Sequence, residues 1–235
     1  MYQDYETSFY SQNEVKKSVL NSYLWMAIGL MVTGAVSFGL YRSGAFVALI
    51  YKMPLLAFAL LIAQVVLVIV FSSQLARNTS AMTMKVLFLL YSLTLGFSMT
   101  SIFLTYSEGV IFVAFMVAAL YFLCLVFIGV TTKKDMSRIG SICFTGLIAM
   151  IISQVLLSLF GIGMDTRLMC LAGLLLFTGI TVWDVQRMNK IMTLNDGTIV
   201  SREKLSIYFA LELYLDFINI FLYILQLLGM GSSKD

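Results

Sequence analysis

Three acidic residues lie inside apolar stretches of this sequence, where a charged side chain is costly. Asp184 lies in LLLFTGITVWDVQRMNK, and Glu212 and Asp216 lie in LELYLDFINIFLYILQLLG, residues 211–229. A charge at the centre of a membrane helix costs about 2.5–3.5 kcal/mol, and such residues mark ion pathways and proton relays. Two carboxylates held close in a low dielectric cannot both ionise cheaply, so one keeps its proton. These residues therefore predict a site whose behaviour depends on the binding of a proton.

The composition indicates a membrane protein. Of the 235 residues, 60% are hydrophobic and 11% are charged, whereas soluble domains carry about 25% charged residues. The sequence has no histidine, which excludes histidine-ligated metals and histidine general bases, and no resident cofactor is expected. The net charge of +3 is too small to indicate a nucleic-acid partner. The expected surroundings are instead a lipid bilayer.

Seven stretches are long enough to cross that bilayer, since a helical span needs about 20 apolar residues. They cover residues 20–41, 54–75, 84–106, 109–130, 139–161, 167–187 and 205–229. Pro54 suits the first turn of the second span. The predicted fold class is an all-α integral membrane protein with seven transmembrane helices. Residues 1–19 are interpreted as a polar N-terminal tail, residues 20–229 as the transmembrane domain, and residues 230–235 as a short C-terminal tail.

The distribution of lysine and arginine predicts the orientation, because cytoplasmic loops carry an excess of these residues. With seven spans, four of the 15 lysine and arginine residues lie on one side of the membrane, namely Arg42, Lys52, Arg167 and Lys234. The other side holds the remaining eleven, which are Lys16, Lys17, Arg77, Lys85, Lys133, Lys134, Arg138, Arg187, Lys190, Arg202 and Lys204. The N-terminus is therefore predicted to be cytoplasmic and the C-terminus outside.

Polar residues of the last span share one helix face. Tyr208, Glu212, Asp216, Asn219 and Tyr223 are spaced three or four residues apart, as one helix stripe requires. We expect this helix to be the most buried one, with the stripe packed against the sixth span. An alternative is left open for Asp184, because its position near a span end would also let it reach the interface or pair with Arg187. The longer side chain of Glu212 could likewise reach water.

Two of these segments also carry a resemblance. The combination of WDVQ (183–186) with LYLDFINIFLYIL (213–225) resembles the transmembrane Bax inhibitor motif family, the Bax inhibitor-1-like proteins, and in particular their bacterial branch. Supporting segments are LIAQVVLVIVFSS (61–73), LFLLYSLTLGFSMTSIFLTY (87–106) and GVTTKKDMSRIGS (129–141). The family motif usually contains YDTQ, so Trp183 and Val185 replace a tyrosine and a threonine.

The resemblance implies a seven-helix fold whose last helix is central and surrounded by the other six. It also implies a pH-sensitive calcium leak of the bacterial inner membrane, in which Asp184 and Asp216 share a proton and bind Ca²⁺ transiently. Arg77 is the candidate basic residue that engages this pair. Glu212 and Asn219 are further candidates for the site, although the family pattern does not demand Glu212.

Other functions were weighed against the leak. An intramembrane aspartyl protease requires GxGD, whereas this chain has LYLD at 213–216, so no enzymatic activity is expected. A retinal protein would need a lysine between Leu205 and Gly229, where there is none. A rotor or proton channel stays compatible with the carboxylates. The main alternative is a non-transporting interaction protein that modulates membrane proteases or cell-death and stress responses through membrane-protein partners.

Overall fold

Helices make up almost all of the described chain. The computed structural model describes residues 2–53, 55–77, 79–160, 165–195 and 200–232. Within these ranges the helices are α1 (Tyr2–Ser43), α2 (Ala45–Lys52), α3 (Leu56–Ser73), α4 (Ala81–Thr105), α5 (Glu108–Thr131), α6 (Ser137–Leu159), α7 (Thr166–Leu194) and α8 (Arg202–Ser232). Some predictions fall outside the described residues. They concern Pro54 at the start of the second span, and Lys234 and Asp235 in the C-terminal tail.

The predicted fold class is confirmed: the described chain is all-helical and has seven candidate membrane spans. The spans are Gln12–Ser43, Leu56–Ser73, Ala81–Thr105, Glu108–Thr131, Ser137–Leu157, Thr166–Leu194 and Arg202–Gly231. The short helix α2 is the element that the sequence analysis did not predict. It follows Gly44, whose φ of 67° ends α1 in the left-handed conformation that glycine adopts without strain.

Two helices extend further than predicted. Helix α7 continues to Leu194, although the sixth span was predicted to end at residue 187. Met188 and Met192 are fully buried one turn apart, so packing extends the helix beyond its most apolar part. Asp184 consequently lies well inside α7 rather than near its end. Helix α1 begins at Tyr2, so most of the segment interpreted as a polar tail is helical.

The chain divides into two compact units, and the first comprises Met1–Ser107 and Lys190–Tyr214. Within it, α1 and α3 both pack on α4. The close packing of α1 on α4 needs a glycine, because a Cβ at Gly96 would lie 2.8 Å from the Cβ of Val36. The first part of α8 contacts α1 through Ser206 and contacts α3 through Tyr208.

The second unit comprises Glu108–Asn189 and Leu215–Asp235. Helix α7 contacts each of its other helices. A Cβ at Gly129 of α5 would lie 2.8 Å from Val185, and Gly179 gives the same kind of room to Cys143 of α6. The second part of α8 contacts α5 through the rings of Phe217 and Phe122, whose centroids are 5.6 Å apart.

Helix α8 is the most buried span, as predicted. Half of its most apolar stretch is buried, against 44% in α7 and only 6% in α6. This burial suits a helix that carries acidic residues, since enclosure by protein keeps a carboxylate away from lipid. The placement of α8 at the centre of the other six helices stays a prediction.

Candidate functional site

The two aspartates predicted to form the site are both buried in the second unit. Asp184 on α7 is 7% exposed and Asp216 on α8 is 4% exposed. Asp184 lies ten residues before the end of α7 at Leu194, and the interface position that was left open for it stays a prediction. Glu212 lies one turn before Asp216 on α8 and is half-buried.

Contacts between α7 and α8 fix the register of these helices in the second unit. Near the start of α7, the Sγ of Cys170 donates a hydrogen bond to the Oε1 of Gln226 at 3.0 Å. One turn further along α7, a Cβ at Gly173 would overlap the ring of Tyr223. The ring of Phe177 lies 6.0 Å from that same ring. The two helices are therefore antiparallel neighbours, because contacts advance along α7 as they go back along α8.

This register predicts that the two aspartates face each other. Asp184 follows Phe177 by seven residues, and Asp216 precedes Tyr223 by seven residues. Seven residues are close to two helical turns, about 10 Å of rise, so each aspartate keeps the face of its contacting ring. Both carboxylates are thus expected at the same depth and on the facing sides of α7 and α8.

The polar stripe on α8 contacts α7 as predicted, but it is not the most buried face of the helix. Its Tyr223 end faces α7, as expected. The opposite, apolar face is more deeply buried than the stripe, since Ile207, Leu213, Ile220 and Leu225 are fully buried. The stripe residues other than Asp216 are half-buried. The Nδ2 of Asn219 donates to the carbonyl of Leu215 at 2.7 Å. The stripe therefore does not lie on the most deeply buried face of α8.

The basic residue beside Asp184 is Arg187. Its guanidinium lies 3.6 Å from the Oδ1 of Asp184 and stacks over the Trp183 ring at 4.7 Å. The alternative that Asp184 pairs with Arg187 is therefore confirmed as far as this ion pair goes. Arg77, the residue proposed for this role, has an exposed side chain in the first unit. Its backbone carbonyl accepts a hydrogen bond at 2.8 Å from the buried ammonium of Lys204. A role for the Arg77 side chain stays a prediction.

Sequence reasoning missed what Gln186 does. Its Oε1 accepts a hydrogen bond from the backbone N–H of Met136 at 2.9 Å. Its Nε2 donates to the carbonyls of Thr132 at 3.1 Å and Lys134 at 2.8 Å. We call these three bonds the Gln186 clamp; they hold the loop between α5 and α6 on α7, two residues after Asp184. The sequence singled out both WDVQ and the TTKKDMS loop, but nothing in either indicated that they bind each other.

A buried polar contact in the first unit was also missed. The hydroxyls of Tyr214 and Thr33 lie 2.6 Å apart, and the hydroxyl of Thr33 lies 3.1 Å from the carbonyl of Ser92. Because the single proton of Thr33 goes to that carbonyl, Tyr214 donates to Thr33. Tyr214 is fully buried and packs edge-on against Phe88. This contact fixes α8 on α1 and α4 at a position between Glu212 and Asp216.

The described residues contain no group of three or more Cys, Asp or Glu side chains arranged to hold a metal ion. The ligand set predicted for transient Ca²⁺ has only two carboxylates, Asp184 and Asp216. It is therefore not tested by this finding.

These features define a multi-pass helical membrane protein with two buried aspartates on its last two spans. The chain belongs to the family described as inhibitor of apoptosis-promoting Bax1, whose model matches residues 15–233. It is 35% identical over 212 residues to the inner membrane protein YbhL of Escherichia coli K12, covering 88% of each chain. It is 34% identical to an uncharacterized protein of Borreliella burgdorferi, covering 88% of this chain and 89% of that one. An uncharacterized protein of Deinococcus radiodurans is 30% identical, covering 95% and 93%. The resemblance stated from the sequence is confirmed.

Proposed function

We propose that this protein is a pH-sensitive calcium leak of the bacterial inner membrane, gated by Asp184 and Asp216. The observation that carries the proposal is the burial of both carboxylates in one unit, on antiparallel helices whose register predicts that they lie opposite each other. The name of the E. coli relative supports the bacterial inner membrane as the location. The proposal is for an ion pathway rather than an enzyme.

The gate works through the proton that the two aspartates share. With one proton between them, a hydrogen bond holds α7 to α8 at this depth. When the proton leaves, two negative charges face each other; at 4 Å and an effective dielectric constant of about 20 they repel by about 4 kcal/mol. That energy is enough to change the ratio of closed to open states by about a thousandfold. The separated carboxylates then offer hard oxygen ligands to Ca²⁺, which passes because two carboxylates are too few for a tight cage.

Replacement of both aspartates by asparagine tests this proposal. Asn keeps the shape of Asp but is neutral at every pH, so the single variant D216N should stay closed and lose its pH dependence. The double variant D184N/D216N should also lose its preference for Ca²⁺. The assay is Ca²⁺ entry into dye-loaded liposomes that contain the purified chain, measured from pH 5 to pH 8. The control is D165N, because Asp165 is an exposed acid that caps α7 by accepting from the backbone N–H of Arg167.

The outcomes separate the leak from its main alternative. Loss of flux in the double variant with normal flux in D165N supports the leak. Wild-type flux with a wild-type pH profile in the double variant would refute it. The carboxylates would then be structural, and the interaction-protein function would take over.

The proposal includes the orientation predicted from the basic residues, with a cytoplasmic N-terminus. A contact in the first unit supports this orientation, in which the third and seventh spans start on the same side of the membrane. Lys85 near the start of α4 pairs with Glu203 near the start of α8. Lys204 reaches the turn after α3 at the same place. A reporter fused after Asp235 should behave as external. Strong activity of a cytoplasmic reporter there would contradict the seven-span topology.

A further inference from the structure

Thr181 is a buried hydroxyl on the site-facing side of α7. It is fully buried, and among the described residues its Oγ1 has no hydrogen-bond partner. Most hydroxyls in these helices donate to the carbonyl of the preceding turn, as Thr178 does to Leu174 at 2.7 Å and Thr100 does to Gly96 at 3.1 Å. Thr181 differs from its neighbour Thr178 although both lie on the same helix. A buried hydroxyl that uses neither its own helix nor another side chain requires an explanation.

The position of Thr181 connects it to the aspartate pair. Phe177, Thr181 and Asp184 are spaced by four and three residues, so they share the face of α7 that contacts α8. The register that sets Asp184 opposite Asp216 sets Thr181 opposite Asn219, one turn further along α8. The Nδ2 of Asn219 is engaged by its own helix. Its carbonyl oxygen is therefore the end of the amide that is left to act as a ligand.

The chemistry of Ca²⁺ gives these oxygens a use. Ca²⁺ takes six to eight oxygen ligands at 2.3–2.6 Å, including the neutral oxygens of amide carbonyls and water. A threonine hydroxyl offers a neutral oxygen of the same kind as water. Two carboxylates supply at most four. An ion that leaves the pair along the α7–α8 contact meets the next oxygens one turn away, at the level of Thr181. A hydroxyl already bound to its own helix would have to break that bond first, whereas Thr181 is ready to bind.

We propose that the Thr181 hydroxyl is a cation ligand of the calcium pathway. Together with the carbonyl oxygen of Asn219, it forms a pair of uncharged ligands one turn from Asp184 and Asp216. This inference rests on the proposed function, because it assumes that the aspartates pass Ca²⁺. The aspartates determine at which pH the path opens. Thr181 sets how fast Ca²⁺ passes and adds to the preference for Ca²⁺ that the aspartates provide.

The test compares T181V with wild type in the same liposome assay, with Ca²⁺ and Mg²⁺ outside in separate runs. Valine has the shape of threonine without the oxygen. Loss of one charge-assisted contact is expected to reduce Ca²⁺ flux about tenfold. The pH at which flux is half-maximal should not change, because both aspartates are intact. The melting temperature should stay the same or rise, since valine removes an unsatisfied buried group.

Two controls separate a ligand from a packing residue. T178V makes the same chemical change on the same helix. The hydroxyl it removes is already bound to the carbonyl of Leu174 and the hydroxyl of Tyr121 and is therefore not a ligand of the pathway, so the Ca²⁺ flux of T178V should stay near wild type. T181S and T181A both lose the methyl group, and only T181S keeps the oxygen. Retained flux in T181S with reduced flux in T181A supports the proposal even where T181V fails to fold.

Three results would overturn the inference. They are wild-type Ca²⁺ flux in both T181V and T181A, an equal loss of flux in T178V and T181V, and an equal loss in T181S and T181A. Failure of the proposed function is recognised separately, by wild-type flux in D184N/D216N.

Discussion

The Gln186 clamp gives the sharpest prediction about stability. Gln186→Leu keeps a side chain of similar size and removes three hydrogen bonds, to Thr132, Lys134 and Met136. A typical hydrogen bond contributes about 0.5–1.5 kcal/mol net, so the loss is about 3 kcal/mol. In a chain of this size 1 kcal/mol corresponds to about 2–4 °C in melting temperature. We therefore expect the melting temperature to fall by about 6–12 °C.

The clamp also predicts where the chain opens. The loop that it holds contains Lys133 and Lys134, with Arg138 in the first turn of α6, so trypsin can report its release. If the 3 kcal/mol are lost locally, the open population rises about a hundredfold, and cleavage at these residues accelerates accordingly when opening limits it. Both measurements are made on the purified chain in detergent micelles, by circular dichroism and by timed proteolysis.

Gln74→Leu is the matched control. Within the described residues its amide donates to the carbonyl of Val70, one turn earlier, and to the hydroxyl of the adjacent Ser73, so the same chemical change removes no hydrogen bond between helices. We expect a shift below about 3 °C for this variant. A melting temperature and loop cleavage rate in Gln186→Leu equal to those of Gln74→Leu would refute the reasoning.

Three further variants are expected to act on separate properties. Tyr214→Phe removes the donor to Thr33 and should cost about 1 kcal/mol in thermal unfolding without moving the pH profile of Ca²⁺ flux; a moved profile would contradict this. Arg187→Gln removes the cation beside Asp184, so deprotonation of the aspartate pair becomes harder and the leak should open at a higher pH in liposomes. Arg77→Ala should raise the basal leak if the Arg77 guanidinium holds the closed pair. Glu212→Gln should shift the opening pH and leave the maximal flux intact; complete loss of flux would place Glu212 in the pathway itself.

The sequence was sufficient for the features that depend on local pattern. Seven apolar stretches predicted seven spans, and the cost of a charge in hydrocarbon predicted that Asp184 and Asp216 would be buried. The end of α7 was missed because Met188 and Met192 extend the helix through packing rather than through a continuous apolar run.

The features that depend on pairing between distant segments were not predictable. Gln186 binds backbone groups about 50 residues earlier in the chain, and backbone groups carry no sequence signal. Thr181 looks like any other helical threonine in the sequence. Its difference from Thr178 is visible only when the hydrogen bonds of both hydroxyls are known.

The contact between Tyr214 and Thr33 has a consequence for the order of biosynthesis. Thr33 is translated early, whereas Tyr214 emerges only after the 82 residues from Glu108 to Asn189 of the other unit. At about 5–20 residues per second, the ribosome needs several seconds for that interval. The hydroxyl of Thr33 can donate to Ser92 as soon as α1 and α4 have met in the bilayer. Before α8 is made, the hydroxyl of Thr33 therefore already donates to Ser92 and still has a lone pair available. When α8 arrives, Tyr214 can donate to that lone pair without breaking another hydrogen bond.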